Sequence, residues 1–280
     1  KRLEIREKRR EERERKRALG SQLGIVHWFG VRRTVGFLML AGFIALRVWD
    51  PPTLQNLRLR NFDFYQVLKP REAKQRPVVI VDIDEASLTQ LGQWPWPRTL
   101  IAELVDKLHK AGAAVIGFDI MLAEPDRMSP SNLAQTLPQI DEATRERMKS
   151  LPSNDEVLAD TISKGKVVLG QASIITPTKA AEDLPRTGLA TIGGDPTPYL
   201  FEFDGLLRNI PVLEKAAAGR GSLTLRPERD GIVRRVPMIM EAQGDLMPSL
   251  TFEMLRIVTK SDTILIKADE AGIKSVAVPG

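Results

Sequence analysis

PVVIVDIDEASLTQLGQWPWPRTLIAELVDKLHKAGAAVIGFDI, residues 77–120, decides the fold. Pro77 to Asp84 is a short apolar run rich in β-branched residues, the pattern of a strand buried on both faces. Thr99 to Ala111 carries Leu100, Ile101, Leu104, Val105 and Leu108 at helical spacing and stops at Gly112, so it predicts an amphipathic helix with a glycine C-cap. Ala113 to Ile120 is a second buried run. Strand, helix and strand in that order predict a βαβ unit with a parallel pair. The connection LGQWPWPR, residues 91–98, sets two tryptophans among two prolines and reads as a stiff hydrophobic lid at the sheet edge, with Pro97 near the helix start.

Downstream, residues 123–154 are polar and interrupted by Pro125, Pro130, Pro138 and Pro152, the mark of an exposed insertion with a helix within Ser131 to Met148. Asp155 to Lys164 predicts a short helix capped by Asp or Asn, and Lys166 to Ile174 a third strand. Residues 176–199 read as a long loop. Beyond it the pattern turns antiparallel. A hairpin is expected between Ser222–Leu225 and Val233–Met240 across Pro227 to Gly231, then a helix over Ser249 to Thr259 with Phe252, Leu255 and Ile257 to Val258 inward. Thr263–Lys267 and Ile273–Val278 predict a last hairpin across Ala271 and Gly272. The fold class is therefore α/β, a mixed sheet containing a βαβ unit, with antiparallel hairpins toward the C-terminus.

The 280 residues are 42% hydrophobic, enough for a real core in one large or two modest domains. The chain has no cysteine, which excludes disulfides and thiolate metal sites and suits either cytoplasm or periplasm. No Met stands at position 1, so the chain is expected to begin inside a longer reading frame.

The net charge of +5 is unevenly spread. In residues 1–17 basic side chains outnumber acidic ones, and Glu4–Lys8, Glu11–Arg15 and Glu12–Lys16 are spaced for ion pairs on a solvated helix. Nucleic-acid binding is the sharper interpretation, but the next segment favours a membrane-flanking tail. Thr34 to Leu46 is uncharged, followed by Arg47, Val48 and Trp49. It is short against the roughly 20 residues that a bilayer core of about 30 Å requires. Arg47 snorkels to the interface, avoiding the roughly 2.5–3.5 kcal/mol cost of a central charge, and Trp49 suits the headgroup belt. Asp50-Pro51-Pro52 ends the helix.

The expected organisation is a basic cytoplasmic segment over 1–30, a transmembrane helix over 31–50 and an extracytoplasmic domain over 51–280. The bilayer is then a partner and nucleic acid is not. Arg58, Arg60, Lys69, Arg71, Lys74 and Arg76 on the far side weaken the charge asymmetry that sets orientation.

Ligands in parallel α/β sheets bind beyond the carboxyl ends of strands. Those ends carry Asp82, Asp84 and Glu85 at the first strand and Asp119, Glu124 and Asp126 at the second. A hard-oxygen Mg²⁺ or phosphoryl site is one interpretation, since D-x-D at a strand end occurs in haloacid-dehalogenase-like phosphotransferases. Those enzymes also need adjacent aspartates, and this chain has no Asp-Asp pair. The structural alternative makes Asp84 a helix cap and pairs Asp82 and Asp119 with cations such as Arg98. Trp94, Trp96 and Arg98 complete the candidate ligand or signalling edge, where Arg98 reaches a carboxylate below or an anion above. No Walker loop, Gly-x-Ser-x-Gly or G-x-G-x-x-G occurs, and Gly219-Arg220-Gly221 reads as a turn. His27 and His109 are the only histidines and are not placed to share zinc. No catalytic residue, metal or cofactor is expected in this segment.

Ile80-Val81-Asp82-Ile83-Asp84-Glu85 with Ser87-Leu88, then Leu91 to Arg98, Gly112-Ala113, Phe118-Asp119-Ile120 and Glu124-Pro125-Asp126 together resemble the second type of CHASE domain. Arg60-Asn61-Phe62-Asp63, Leu169-Gly170, Ala216 to Gly221, Asp230 to Pro237 and Pro248-Ser249-Leu250 extend the resemblance over about residues 50 to 280. It implies an extracytoplasmic sensor of a bacterial signalling receptor in the inner membrane, with further membrane helices and a cytoplasmic output beyond it. Asp50-Pro51 and Lys69-Pro70-Arg71 are most similar to members fused to class III adenylate or guanylate cyclases; histidine and Ser/Thr kinases are the alternative outputs. The resemblance thus implies a homodimer, cAMP synthesis by the parent polypeptide, Mg and ATP bound only by a cyclase output, and an unidentified periplasmic small molecule or protein as partner.

Overall fold

The computed structural model describes residues 11–12, 14, 30–70, 72, 77–179 and 185–279. The helix expected in the basic tail lies largely outside these residues. The chain divides into two compact units, residues 1–79 and 80–280.

The first unit holds α1 (Val31–Trp49) and α2 (Pro52–Leu68). α1 ends where sequence predicts: Asp50 adopts a left-handed conformation (φ 43°) and its N–H donates to the Leu46 carbonyl. Pro51 and Pro52 then start α2, where a missing N–H costs nothing. The corner is tied by Gln55, whose Nε2 donates to the Asp50 carbonyl at 2.8 Å and to its carboxylate at 3.1 Å, and by the Arg58–Asp50 ion pair. Phe37, Leu38, Phe43, Ile44 and, on α2, Phe64, Val67 and Leu68 are exposed. No single helix among the described residues is long and apolar enough to cross a membrane; α1 and α2 pass that test only as a pair, bent by 84°.

The second unit is a mixed α/β domain with three small sheets. Its elements are α3 (Glu85–Leu91), α4 (Arg98–Lys110), β1 (Ile116–Phe118), α5 (Pro130–Thr136), α6 (Glu142–Lys149), α7 (Asn154–Ser163) and β2 (Val167–Ile174). There follow β3 (Leu189–Gly193), β4 (Glu202–Phe203), β5 (Gly205–Leu207), α8 (Pro211–Ala216), β6 (Gly219–Ser222), β7 (Ile239–Ala242), β8 (Asp245–Pro248), α9 (Leu250–Val258), β9 (Ile264–Asp269) and β10 (Gly272–Ala277).

The central sheet is built on β2, which pairs parallel with β1 and β6 and antiparallel with β5. Side chains alternate across a strand, so Ile116, Phe118, Val167 and Leu169 share one face. They form the main core with Ile101 and Val105 of α4, Leu158 and Ile162 of α7 and Leu213 of α8. Gly117 faces the other way, where an added Cβ would stand 2.4 Å from the Met254 sulfur on α9. Helices therefore cover both faces of this sheet. The remaining sheets, β10-β9-β3 and β4-β7-β8, meet through Ile239, Ile264 and Ile266.

Several expectations are corrected. The run 77–84 is not a buried strand: it forms no regular element, and Val78, Val79, Ile80 and Val81 are exposed. β-branched residues favour a pleated, half-buried surface but do not supply a ladder partner. The parallel pair is instead β1 with β2, joined through α5, α6 and α7. The hairpin expected across 227–231 is absent, because β6 pairs with β2 while β7 turns through Gln243 and Gly244, both at positive φ, into β8. Gly219-Arg220-Gly221 is strand β6 and not a turn. The loop expected over 176–199 contains β3, parallel to β9. Helix 154–163 is capped by Ser153 in a capping box with Glu156, ahead of the Asp or Asn expected. The last hairpin, β9–β10, forms as expected.

Candidate functional site

The tryptophan–proline stretch builds the start of α4. Gly92 leaves α3 at φ 93°, a conformation open to glycine, and its carbonyl accepts a 2.8 Å hydrogen bond from Trp96 Nε1. The Trp94 and Trp96 rings meet edge to face at 5.7 Å; Trp96 is buried and Trp94 packs on the main core. Pro97 provides no side-chain cap for α4. That duty passes to a distant residue: the Arg98 N–H donates to Asp126 Oδ2 at 2.8 Å.

Asp126 is the hub of a buried latch. Its Oδ2 also accepts from Asn154 Nδ2 at 2.8 Å, and its Oδ1 from the Met128 N–H at 2.9 Å. Its own N–H donates to Asp155 Oδ2 at 2.9 Å. The Arg98 guanidinium turns inward, with Nη2 3.3 Å from the Glu124 carbonyl and Nε 3.5 Å from Asp155 Oδ1. The latter contact is Coulombic: among the described residues neither Arg98 Nε nor Asp155 Oδ1 has a hydrogen-bond partner. Burial pushes the Asp155 carboxyl above its ordinary value despite the Asp126 N–H and the Arg98 charge. The latch joins the first turn of α4, the loop over 124–129 and the first turn of α7.

Of the predicted edge, the structure brings together Trp94, Trp96, Arg98 and Asp126. Asp82, Asp84, Glu85, Asp119 and Glu124 are exposed. Asp84 caps α3, accepting from the Ser87 N–H at 2.8 Å and Oγ at 2.6 Å, and these bonds hold its carboxyl below the ordinary range. The Arg98 guanidinium pairs with Asp155, and the Arg98 backbone N–H donates to Asp126, in place of the Asp82 and Asp119 partners proposed from sequence. Among the described residues no group of three or more His, Asp or Glu side chains converges as a metal site.

A second buried polar cluster was not visible in the sequence. Glu214 on α8 is fully buried; it pairs with Arg220 at 3.0 Å and accepts from Gln171 Nε2 at 2.7 Å and from Asn209 Nδ2 at 2.9 Å. Asn209 Nδ2 also donates to the Gly170 carbonyl, and its Oδ1 accepts from the Leu122 N–H at 2.7 Å. On α9 the inward residues are Phe252, Glu253 and Arg256, whereas Leu255 and Val258 are exposed, contrary to the apolar-face expectation. Glu253 holds Arg256 through two bonds of 2.7 and 2.8 Å. The glycines flanking Arg220 admit this arrangement: a Cβ at Gly219 would lie 2.3 Å from Glu253 Oε1, and one at Gly221 2.5 Å from the Leu250 Cα. The available signal was a basic residue between two glycines.

Beside this cluster lies a cavity of about 240 Å³, walled by Gln171, Thr187, Arg208, Arg220, Asp245 and Met247 among others.

The architecture is that of a mixed α/β module preceded by a helical unit. Within that class, the CHASE2 domain profile matches residues 36–278, and the chain belongs to this family of extracytoplasmic sensor domains of signalling proteins. No curated protein and no solved structure matches the chain significantly.

Proposed function

We propose that the chain is the membrane anchor and periplasmic sensor of a bacterial receptor, most similar in design to those that regulate a class III adenylate cyclase. The observation that carries this reading is the family match over residues 36–278, which begins inside α1 and runs through the whole α/β domain. α1 is the anchor: its uncharged core from Thr34 to Leu46 covers about 20 Å. Arg32 and Arg33 at one end and Arg47 at the other snorkel outward, with local bilayer thinning closing the remaining gap. Residues 1–30 then lie in the cytoplasm and the domain after residue 50 in the periplasm.

A ligand or protein partner biases two arrangements of the domain, and a dimeric output reads the bias. Trp94, Trp96 and Arg98 lie where α4 is latched to α7, so a shift of this latch would move the helices that cover the central sheet. The test is cAMP production by the full-length gene product in a cyclase-deficient bacterial strain. Cyclase-dependent cAMP that changes in Trp96→Phe or Arg98→Lys supports the reading. Absence of cAMP together with autophosphorylation would assign a kinase output.

A further inference from the structure

We infer that the cavity beside β2 and β8 is a binding site for a small hydroxy monocarboxylate, with Arg208 as the anion ligand and Gln171 as the hydroxyl acceptor. The cavity holds two buried polar atoms without partners among the described residues, Arg208 Nε and Gln171 Oε1, one a donor and the other an acceptor. Gln171 is 1% exposed. Its amide orientation is dictated, because Nε2 donates to the Glu214 carboxylate at 2.7 Å and the reversed amide would set oxygen against oxygen. Leaving such an acceptor unpaired in the interior costs free energy, and a ligand O–H removes that cost.

The charge of the wall selects the ligand's charge. Arg220 is neutralised by Glu214 at 3.0 Å and Arg186 by Asp245 at 2.7 Å. The Arg208 side chain has no ion pair or hydrogen bond among the described residues; Arg220 nearby holds its proton less tightly chiefly because it is buried, with the Arg208 charge adding to the effect. Among the described residues, one positive charge of the wall then has no counter-charge. A monoanion cancels it, whereas a zwitterion leaves it in place. Arg208 is only half-buried, so an entering carboxylate meets its guanidinium first and draws it over the cavity. A cavity of about 240 Å³ has room for a ligand of this size. This inference supplies a ligand class for the sensor reading, but binding is read on the chain itself and does not depend on anchor or output.

The experiment is thermal unfolding and calorimetric titration of the whole 280-residue chain in nanodiscs at constant ionic strength. The probes are D- and L-glycerate, D- and L-lactate, L-serine and acetate. Expected is saturable binding of at least one hydroxy acid below about 10 mM, with serine and acetate at least about tenfold weaker and with Arg208→Gln about tenfold or more weaker. Arg208→Gln removes an unpaired charge and keeps the fold, as its circular dichroism will show; Gln171→Met is the second variant and weakens the hydroxy acid more than acetate. No saturable binding of any hydroxy acid, equal binding by Arg208→Gln, or tighter binding of serine or acetate than of glycerate and lactate would overturn the assignment.

Discussion

Replacing Arg98 by Met tests the latch. The guanidinium lies 3.5 Å from Asp155, with side chains only 9% and 7% exposed. At an effective dielectric of about 20 that separation gives an attraction of about 5 kcal/mol, which the desolvation of the two ions largely offsets. Removing one partner is different: Asp155 and Asp126 then remain as neighbouring buried carboxylates, at a cost of about 3 kcal/mol. For a domain of this size that lowers the unfolding midpoint by roughly 6–12 °C.

The sign of the pH dependence follows from Asp155, whose carboxyl is raised in the folded state. The folded protein binds this proton more tightly than the unfolded chain, so the group's unfavourable effect is present above its folded value and is relieved as pH falls through it. Loss of Arg98 removes a charge that lowers the value, so the cost of Arg98→Met shrinks as pH falls through the carboxyl's raised folded-state value. It also shrinks when Asp155→Asn is added. Urea unfolding followed by tryptophan fluorescence measures all four proteins. A cost below about 1 kcal/mol, or one that does not shrink as pH is lowered across the range in which the protein stays folded, would refute the latch as a buried ion cluster.

Three further outcomes are expected. Trp96→Ala removes a buried indole and its bond to Gly92, and is expected to cost about 3–5 kcal/mol in the same urea assay, with loss of near-ultraviolet dichroism. Gly219→Ala drives a methyl into Glu253, held by Arg256, and is expected to destabilise by about 1–3 kcal/mol, read as a lowered thermal midpoint. Asp230 is pulled down to about 2 by its hydrogen bond to Arg234, so its contribution is present above the ordinary carboxylate value and is lost as pH falls toward 2; carboxyl NMR titration should show that midpoint in the wild type and a rise in Arg234→Gln.

What was legible in the sequence was local. α4, β2, the span of α9 though not its buried face, and the β9–β10 hairpin follow from periodicity and turn residues within a dozen positions. Asp84 as a cap follows from Ser87 three residues on. Partners distant along the chain were not legible. Val78 to Val81 has strand composition, but a strand needs an edge to pair with, and β1 takes β2 in its place. The Arg98 partners lie 28 residues away at Asp126 and farther still at Asp155. Glu214 and Glu253 look like surface residues on short helices until Arg220 and Arg256 are folded against them. Buried charge is invisible to a pattern that assigns charge to solvent.

The central claim is that an N-terminal anchor holds this α/β domain in the periplasm, and the absence of cysteine makes it directly measurable. A single Lys149→Cys, on the exposed surface of α6, is labelled with a membrane-impermeant maleimide in spheroplasts before and after lysis. Full labelling before lysis is the predicted result; labelling that appears only after lysis would place the domain in the cytoplasm and contradict the sensor reading.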